Sequence, residues 1–514
     1  MGSRIDTGAV ARNLGSVGLD KLPTLIVDQC LEDCVRELTA TANMILAGEI
    51  RLPHETLAMP KKRFGPRPVT VTSTAARVAY LALVEYLGDD LGPKSREEGK
   101  YKEFKTFTLK GESEYVANFD IASFYEYIDH ADLKQEVLSR TLNPESVTAL
   151  TNVLTSVIGG SRGLPQLLSA SDHLADAYIA RLERRLTRDG YSVARYVDDF
   201  SVACPDWETA NVIIERAAEY ARDLGMVLSS EKTTITKRAT IIANEEAGEE
   251  FFKEKFDAAR AEEEVHVFLW NDDYDDMFEQ ADEPDTQEPG ESDSSIDDAA
   301  MRTAMWSLLG DWVRLVRSAE PENHFRLESH YMTYLKPALG WLRNFSQRIP
   351  DDVLHELVFR HPLLLAPACG YIRARDASDY GWFEDPWPTI RTLAIMGRQS
   401  PWAKLWLLDT VAQMRMFEQS ADRARVMEWV DKQLSDRHEA VRAQAAWAAA
   451  IHGRLTERTL TELYTHASPI SQPALAACMA KQGNIGKGIV NAIKQDGPMM
   501  KKAYSWAEKQ NSVN

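Results

Sequence analysis

Two adjacent acidic residues, Asp198 and Asp199, interrupt an apolar, strand-forming run from Tyr191 to Ala203, and this feature constrains the fold most strongly. β-Branched and aromatic residues on both sides of the pair predict a β-hairpin whose turn presents both carboxylates at one point. Because adjacent like charges repel at low dielectric, the pair is expected in solvent or around cations. Since Asp-Asp between strands is more often a plain turn, a chemical role requires further acidic residues nearby.

A third acidic residue, Asp120, ends a second predicted strand that begins at Tyr115, and the residues after it are expected to turn into a helix. Three carboxylates from two strands form the hard, oxygen-rich ligand set that Mg²⁺ prefers. Two such ions suit the in-line transfer of a nucleotide to a 3′ hydroxyl, with pyrophosphate as the leaving group. The sequence therefore predicts a two-metal site at Asp120, Asp198 and Asp199.

Two further motifs complete an ordered series. They are Gly163-Leu164-Pro165-Gln166, and Leu224-Gly225 followed by Glu231-Lys232-Thr233 after a predicted helix from about Trp207 to Leu224. Together with the strand that ends at Asp120 and with Tyr196-Val197-Asp198-Asp199, they resemble the palm motifs of reverse transcriptases over roughly residues 55 to 240. The order of the motifs is far more specific than any one of them alone.

The resemblance implies roles for residues around the acidic triad. Asp120, Asp198 and Asp199 would hold two Mg²⁺ ions, with the main-chain carbonyl of Ile121 as a further ligand. Tyr125 would be a steric gate that favours deoxyribose. Gln166 would contact the incoming nucleotide, and Lys232 would be a general acid near the pyrophosphate. The expected substrates are therefore deoxynucleoside triphosphates, and the expected partners are an RNA template and a DNA product.

A basic segment upstream resembles the fingers strand of the same family. Arg67, with Lys61 or Lys62, would grip phosphates there, and Arg77 matches the arginine that follows in the motif. Taken alone, residues 61–67 would be a solvated basic loop, Tyr125 a core aromatic residue and Lys232 an ordinary flanking charge.

The sequence departs from the family pattern directly after Gln166. Most retroviral and intron-type relatives have a glycine there, whereas this chain has Leu167 and Leu168. Because these bulky residues stand near the expected seat of the base pair and template, we expect unusual template handling. The sequence carries no endonuclease signature and no ribonuclease H carboxylate series, which disfavours a self-mobile element.

The net charge of -19 at first argues against a nucleic-acid protein, because phosphate contacts need lysine and arginine. Residues 271–298 explain much of this charge, since they contain 13 Asp or Glu and no Lys or Arg. Such a segment is expected to be a disordered linker or an extended loop, and the alternative is a nucleic-acid mimic that occupies the polymerase cleft. Five scattered cysteines indicate neither a disulfide framework nor a zinc site.

The sequence after the acidic segment is typical of helices throughout. Three parts of it combine a polar or proline cap, apolar residues at helical spacing and a glycine soon after, at residues 385–394, 435–446 and 468–477. They resemble irregular HEAT-like helical pairs. The many tryptophans here are expected to be core residues first and stacking platforms for bases second.

The predicted fold class is α+β, with the right-hand fingers and palm of a reverse transcriptase followed by an all-α HEAT-like helical repeat domain. The predicted domains are an N-terminal helical segment (1–55), the fingers and palm (56–245), a helical connector with the acidic segment (246–300) and the helical repeat domain (301–514). Without a long apolar run or a signal peptide, the chain is expected in the cytoplasm and without a membrane partner.

This architecture resembles the bacterial abortive-infection and defence-associated reverse transcriptases. The resemblance implies phage defence, DNA synthesis that copies an RNA or an associated non-coding RNA or uses no template, and a homo-oligomer. Some relatives prime from a protein hydroxyl, for which Tyr464 and Tyr504 are candidates that the sequence cannot rank. The alternatives are a mobile-element or diversity-generating reverse transcriptase and a vestigial scaffold, and the intact triad argues against the scaffold.

Overall fold

The computed structural model describes residues 5–50, 52–61, 65–260, 294–318, 324–377, 385–414 and 419–513. The chain divides into two compact units. Unit 1 combines residues 1–59, 67–241 and 430–514, and unit 2 combines residues 60–66 and 242–429. The predicted phosphate grip of Lys62 lies outside the described residues, as do residues 271–293 of the acidic segment 271–298. The last five residues of that segment were also predicted to be disordered or extended, but this was wrong, because they form the first turn of a helix that begins at Ser294.

The strands of the described residues form two sheets. Their bounds are β1 (His54–Pro60), β2 (Pro66–Thr72), β3 (Tyr115–Asp120), β4 (Ser192–Tyr196), β5 (Asp199–Cys204) and β6 (Thr234–Lys237). Strands β1 and β2 pair with each other, and the other four form an antiparallel sheet in the order β4-β5-β3-β6. The hairpin predicted within residues 191–203 and the strand predicted to end at Asp120 are both present.

Helices account for most of the remaining described residues. Before the last strand they are α1 (Thr7–Arg12), α2 (Ile26–Gln29), α3 (Val35–Leu46), α4 (Thr74–Leu91), α5 (Lys100–Leu109), α6 (Phe124–Tyr127), α7 (His130–Thr141), α8 (Pro144–Ile158), α9 (Ser169–Arg188) and α10 (Trp207–Asp223). After it they are α11 (Arg238–Arg260), α12 (Ser294–Arg317), α13 (His324–Trp341), α14 (Asp351–Arg360), α15 (Leu365–Ala377), α16 (Trp387–Ala394), α17 (Pro401–Gln413), α18 (Ala421–Gln433), α19 (Glu439–Ile451), α20 (Glu457–Thr465), α21 (Gln472–Gln482), α22 (Lys487–Gln495) and α23 (Pro498–Val513).

The four-stranded sheet is apolar on one face and carries acidic residues on the other. Phe119 and Phe200 are cross-strand partners with rings stacked 5.0 Å apart, and each is 1% exposed. Because side chains alternate along a strand, the next pair, Asp120 and Asp199, lies on the opposite face. Helix α10 packs on β3 and β5, and Asp206 caps its first turn by accepting a hydrogen bond from Thr209 N at 2.7 Å.

The last helices of the chain belong to unit 1, where they pack against the N-terminal helices. Glu55 of β1 accepts hydrogen bonds from the first two main-chain N–H groups of α19, each at 2.7 Å. Gln444 of α19 accepts a hydrogen bond from Ile26 N at 3.2 Å, and Lys502 of α23 pairs with Glu37 of α3 at 2.7 Å. Contacts between the two ends of the chain therefore build one compact unit, and the predicted domain boundaries stay predictions.

Unit 2 contains helices around a tryptophan-rich core. Trp312, Trp387 and Trp402 are fully buried, as predicted for the tryptophans of this half. The prediction of an all-helical C-terminal half is confirmed for the described residues after 293, whereas the HEAT-like repeat stays a prediction. No helix in the described part of the chain combines the length and hydrophobicity needed to cross a membrane.

Candidate functional site

The three predicted metal ligands meet at one end of the four-stranded sheet. Asp120 is the last residue of β3 and pairs with Asp199, the first residue of β5. Asp198 lies in the two-residue turn between β4 and β5, and one carboxylate oxygen from each of the three residues lies within 4.8 Å of the others. Asp120 is 4% exposed and the side chain of Asp199 is 50% exposed, so the cluster opens to solvent on one side.

The turn that carries Asp198 has a strained backbone. Val197 has φ of +54° and is 5% exposed. A β-branched residue rarely adopts this left-handed conformation, which costs about 1–3 kcal/mol and persists only where the surroundings impose it. The turn is therefore held in place by the structure around it.

The electrostatics of the cluster favour a bound cation. Burial, together with the neighbouring carboxylates of Asp120 and Asp199, raises the pKa of Asp198 to about 7. A buried oxygen of Asp120, Oδ1, makes no hydrogen bond of regular geometry and has the Lys232 ammonium 2.9 Å away. Hard carboxylate oxygens in a cluster whose charges repel match the requirements of Mg²⁺, so the residues present fit the predicted ions.

Lys232 lies beside the triad, and its role as a general acid near the pyrophosphate stays a prediction. Its Nζ is 2.9 Å from Asp120 Oδ1 and 3.8 Å from Asp199 Oδ1. Burial alone would lower the pKa of Lys232, but the adjacent carboxylates outweigh that effect and raise it. The ammonium group therefore stays protonated at neutral pH and offsets part of the negative charge.

The main chain around Ile121 is fixed against the segment that leads to Lys232. Ile121 forms an antiparallel bridge with Leu228 and is 1% exposed. Hydrogen bonds run from Ala122 N to Val227 O at 2.9 Å and from Ser229 N to Asp120 O at 2.7 Å. These bonds hold Asp120 and Lys232 in register, while the predicted ligand role of the Ile121 carbonyl stays a prediction.

Tyr125, the predicted steric gate, is held by a hydrogen bond to helix α9. Its hydroxyl donates to Asp172 Oδ1 at 2.5 Å, and the Arg96 guanidinium is 3.4 Å from Asp172 Oδ2. Burial and the adjacent Asp172 carboxylate raise the pKa of Tyr125 well above its ordinary value. The phenol thus remains a neutral donor with a fixed orientation.

Leu167 follows Gln166 at the position where most relatives have glycine, and it is buried. Gln166 is 8% exposed, and both Leu167 and Leu168 are 5% exposed. Leu167 has φ of +66°, the left-handed conformation for which glycine is the usual residue. Its side chain is buried in unit 1 instead of standing on an open surface, and the expected unusual template handling stays a prediction.

The predicted fingers residues belong to the segment from the end of β1 to α4 and not to the four-stranded sheet. Lys61 follows β1 and is exposed, with its N–H bonded to Gly65 O at 3.0 Å. Arg67 is half-buried on β2. Arg77 is 1% exposed and donates to Val17 O at 2.6 Å and to Asp28 at 2.5 Å, so this arginine stabilises the core of unit 1.

Sequence reasoning missed two acidic residues of α9 and their arginine partners. Asp172 contacts Tyr125 and Arg96, and Asp176 pairs with Arg195. Two signals pointed to them: the acidic residues stand four positions apart, on one face of a helix, and Arg195 interrupts an apolar strand.

Comparison with known proteins identifies the chemistry of this region. Residues 59–266 match the family described as "Reverse transcriptase (RNA-dependent DNA polymerase)". The comparison with curated proteins gives no match. The chain therefore carries a reverse transcriptase domain and is an RNA-directed DNA polymerase, a nucleotidyltransferase.

Two solved structures are similar to this chain at low sequence identity. One is a telomerase from Candida tropicalis in complex with a TWJ fragment of telomeric RNA, with 11% identity, 77% of this chain and 68% of that chain covered, and a TM-score of 0.27. The other is a telomerase from Candida albicans with the same kind of RNA fragment, with 10% identity, 86% and 68% covered, and a TM-score of 0.26. Scores this low carry no weight for the fold or for the partners of this chain.

Proposed function

We propose that this RNA-directed DNA polymerase binds two Mg²⁺ ions through Asp120, Asp198 and Asp199 and uses deoxynucleoside triphosphates in antiviral defence. The observation that carries the metal site is the meeting of three carboxylates within 4.8 Å at one end of the sheet. Ions bound there would lower the pKa of a primer 3′ hydroxyl and stabilise the charge on the triphosphate. The Ile121 carbonyl would be a further ligand.

Lys232 would serve as the proton donor to the leaving group. Its pKa is raised by the adjacent carboxylates, so it holds a proton at Nζ at neutral pH. Cations bound by the neighbouring carboxylates would weaken the attraction that raises the pKa of Lys232, which would make the ammonium a stronger acid.

Tyr125 and Gln166 would select and orient the nucleotide. The hydroxyl of Tyr125 is bonded to Asp172 at 2.5 Å, so its ring cannot swing freely and can exclude a 2′ hydroxyl by steric contact. Gln166 belongs to the segment between α8 and α9 and is largely buried, which limits its side chain to few orientations. Arg67 and Lys61 of the β1–β2 region would bind phosphates.

The defence role is supported by the combination of a reverse transcriptase domain with a helical C-terminal half. It implies action in the bacterial cytoplasm as a homo-oligomer, with an RNA template, an associated non-coding RNA or no template. Priming could use a nucleic acid or a protein hydroxyl. Of the two tyrosine candidates, Tyr464 donates its hydroxyl hydrogen to Asp496 at 2.7 Å, so it would have to release this bond to act as a primer. Tyr504 is 7% exposed.

The test compares the full-length chain with a double variant, Asp198→Asn with Asp199→Asn. Each protein is incubated with labelled deoxynucleotides and Mg²⁺, with and without an RNA template and primer. Label in DNA from the wild type and none from the double variant is the expected result, because the ligands are lost. Bacteria that carry each gene and its native locus are then challenged with phage, and only the wild type is expected to protect.

The matched control is Asp206→Asn, which also removes an acidic charge next to β5. Asparagine caps a helix as well as aspartate does, so this variant should fold and incorporate nucleotides like the wild type. Equal incorporation by the wild type and the double variant would refute the metal site. Protection by the double variant would refute a defence role that depends on DNA synthesis.

A further inference from the structure

Arg195 connects helix α9 to the turn that carries Asp198. Its side chain is 9% exposed, and its Nη1 donates to Asp176 Oδ1 at 2.7 Å and to the main-chain carbonyl of Val197 at 2.9 Å. Its Nε donates to Glu183 Oε2 at 2.8 Å. A planar guanidinium with several fixed donors can join two groups of α9 to one carbonyl of the turn at the same time.

Asp176 is itself fixed from both sides. In addition to Arg195, Ser95 Oγ donates to Asp176 Oδ1 at 2.6 Å, and Ser95 N donates to Asp176 Oδ2 at 2.8 Å. Asp176 is 4% exposed, so these partners replace water. Because both carboxylate oxygens are bonded, neither Asp176 nor the guanidinium it holds can rotate without losing hydrogen bonds.

The carbonyl that receives the Arg195 hydrogen bond belongs to the strained residue of the turn. The Val197 carbonyl belongs to the peptide group that joins Val197 to Asp198. Because this group is planar, the direction of the carbonyl fixes the position of the Asp198 N and Cα atoms, and Cα carries the side chain. Val197 has φ of +54°, which needs outside support. The hydrogen bond from Arg195 supplies such support at the peptide that precedes the metal ligand.

We infer that Arg195, held by Asp176, is a positioning residue that orients the Asp198 carboxylate for cation binding. This inference rests on the proposed metal site. Residues that orient a ligand without touching the metal typically change metal affinity or activity about 10–100-fold when they are altered. If Arg195 and Asp176 only fastened β4 to α9, losing either one would lower the free energy of unfolding and leave the metal affinity of the folded protein unchanged.

The test measures Mn²⁺ binding to the full-length chain by electron paramagnetic resonance, next to the Mg²⁺ dependence of RNA-templated incorporation. Arg195→Lys keeps the charge but loses the planar fork that makes all three bonds, and Asp176→Asn removes one of the two carboxylate charges that hold the guanidinium. Both variants should bind Mn²⁺ about 10–100-fold more weakly and need correspondingly more Mg²⁺. Ser95→Ala, which removes one bond to Asp176, should shift both quantities less and in the same direction.

Arg140→Lys is the matched control. Arg140 also joins a carboxylate, Glu136, to main-chain carbonyls, those of Leu91 and Ala177, and this variant should keep wild-type Mn²⁺ affinity. Circular dichroism and thermal unfolding show which variants fold, and Ser95→Ala gives the result if the stronger changes unfold the chain. Wild-type Mn²⁺ affinity in the folded variants would overturn the inference alone. Wild-type Mn²⁺ affinity in Asp198→Asn would overturn the proposed metal site and the inference together.

Discussion

Two groups of carboxylates in unit 1 have opposite surroundings. At one end of the four-stranded sheet, Asp120, Asp198 and Asp199 each bring a carboxylate oxygen within 4.8 Å of the others. On α9, Asp172 and Asp176 instead face donors, and Asp176 accepts three hydrogen bonds from Ser95 and Arg195. The same chemical group is therefore brought together with like charges in one place and with hydrogen-bond donors in the other.

This difference separates binding from positioning. A cluster of like charges is unfavourable for the folded chain and becomes favourable when a cation binds, so it is a site for something from outside. A carboxylate whose oxygens already have donors gains nothing from a cation, and it holds other groups in place. The comparison predicts opposite consequences when a charge is removed from each group.

The largest expected effect comes from Asp120→Asn. RNA-templated incorporation should fall about 1,000-fold, equivalent to about 4 kcal/mol, because a proposed metal ligand and its charge are lost. Without metal at pH 8, the free energy of unfolding should stay the same or rise, since repulsion within the cluster is relieved. Nucleotide incorporation and urea unfolding in EDTA measure the two quantities.

Asp176→Asn provides the contrasting half of that experiment. Here the metal-free stability should fall by about 2–4 kcal/mol, because Arg195 loses the more deeply buried of its two carboxylate partners. Equal losses of metal-free stability in Asp120→Asn and Asp176→Asn would show that the two groups of carboxylates do not differ as their surroundings imply.

The local pattern of the sequence is sufficient to predict the end of the sheet where the three carboxylates meet. The hairpin around Asp198, the strand that ends at Asp120 and the helix that begins at Trp207 all depend on short-range alternation and capping, which a single sequence displays. Lys232 was placed by the order of motifs, and the structure brings its ammonium to 2.9 Å from Asp120.

The positioning groups could not be predicted in the same way. Arg195 meets Asp176 only because β4 lies against α9 in one particular register, and Ser95 reaches the same carboxylate from 81 residues away in sequence. The packing of α19 against the N-terminal helices is likewise a tertiary contact between the two ends of the chain. Periodicity reveals which face of an element is buried but not which element covers it.

The pH dependence of metal-free stability gives a second, smaller test of the comparison. The pKa of Asp198 is about 7 in the folded chain, above its ordinary value, because of burial and the neighbouring carboxylates. The folded state therefore binds a proton more tightly than the unfolded state, and stability should fall as the pH rises from about 4 to about 7. With allowance for the partial exposure of Asp198, the loss should be about 2 kcal/mol.

Urea unfolding in EDTA at a series of pH values measures this loss, with Asp198→Asn as the reference. The difference between wild type and variant should change across that pH window, and added Mg²⁺ should reverse the trend, because the ionised carboxylate binds the cation. A difference that stays constant from pH 4 to pH 8 would show that Asp198 titrates as an ordinary exposed carboxylate.

The smallest expected effect concerns Glu55, a carboxylate whose surroundings differ from those of both groups compared above. Glu55 is half-buried, and among the described residues its hydrogen-bond donors are two neutral main-chain groups at the start of α19, Glu439 N and Ala440 N. Glu55→Ala should lower the free energy of unfolding by about 1–2 kcal/mol, the usual cost of losing a helix cap. Glu55→Gln, which keeps one acceptor oxygen, should cost about half as much.

Neither Glu55 variant should alter the Mg²⁺ dependence of incorporation, because the carboxylate fastens α19 to β1 and has no bond to the turn of Asp198 among its described contacts. A shift in Mg²⁺ dependence as large as that of Asp176→Asn would mean that the loss of any hydrogen-bonded carboxylate loosens the proposed metal site. In that case the hydrogen bond from Arg195 to the Val197 carbonyl would have no special part in orienting Asp198. An unchanged Mg²⁺ dependence would show that Asp176 differs from Glu55 because its partner Arg195 is bonded to the turn that carries Asp198.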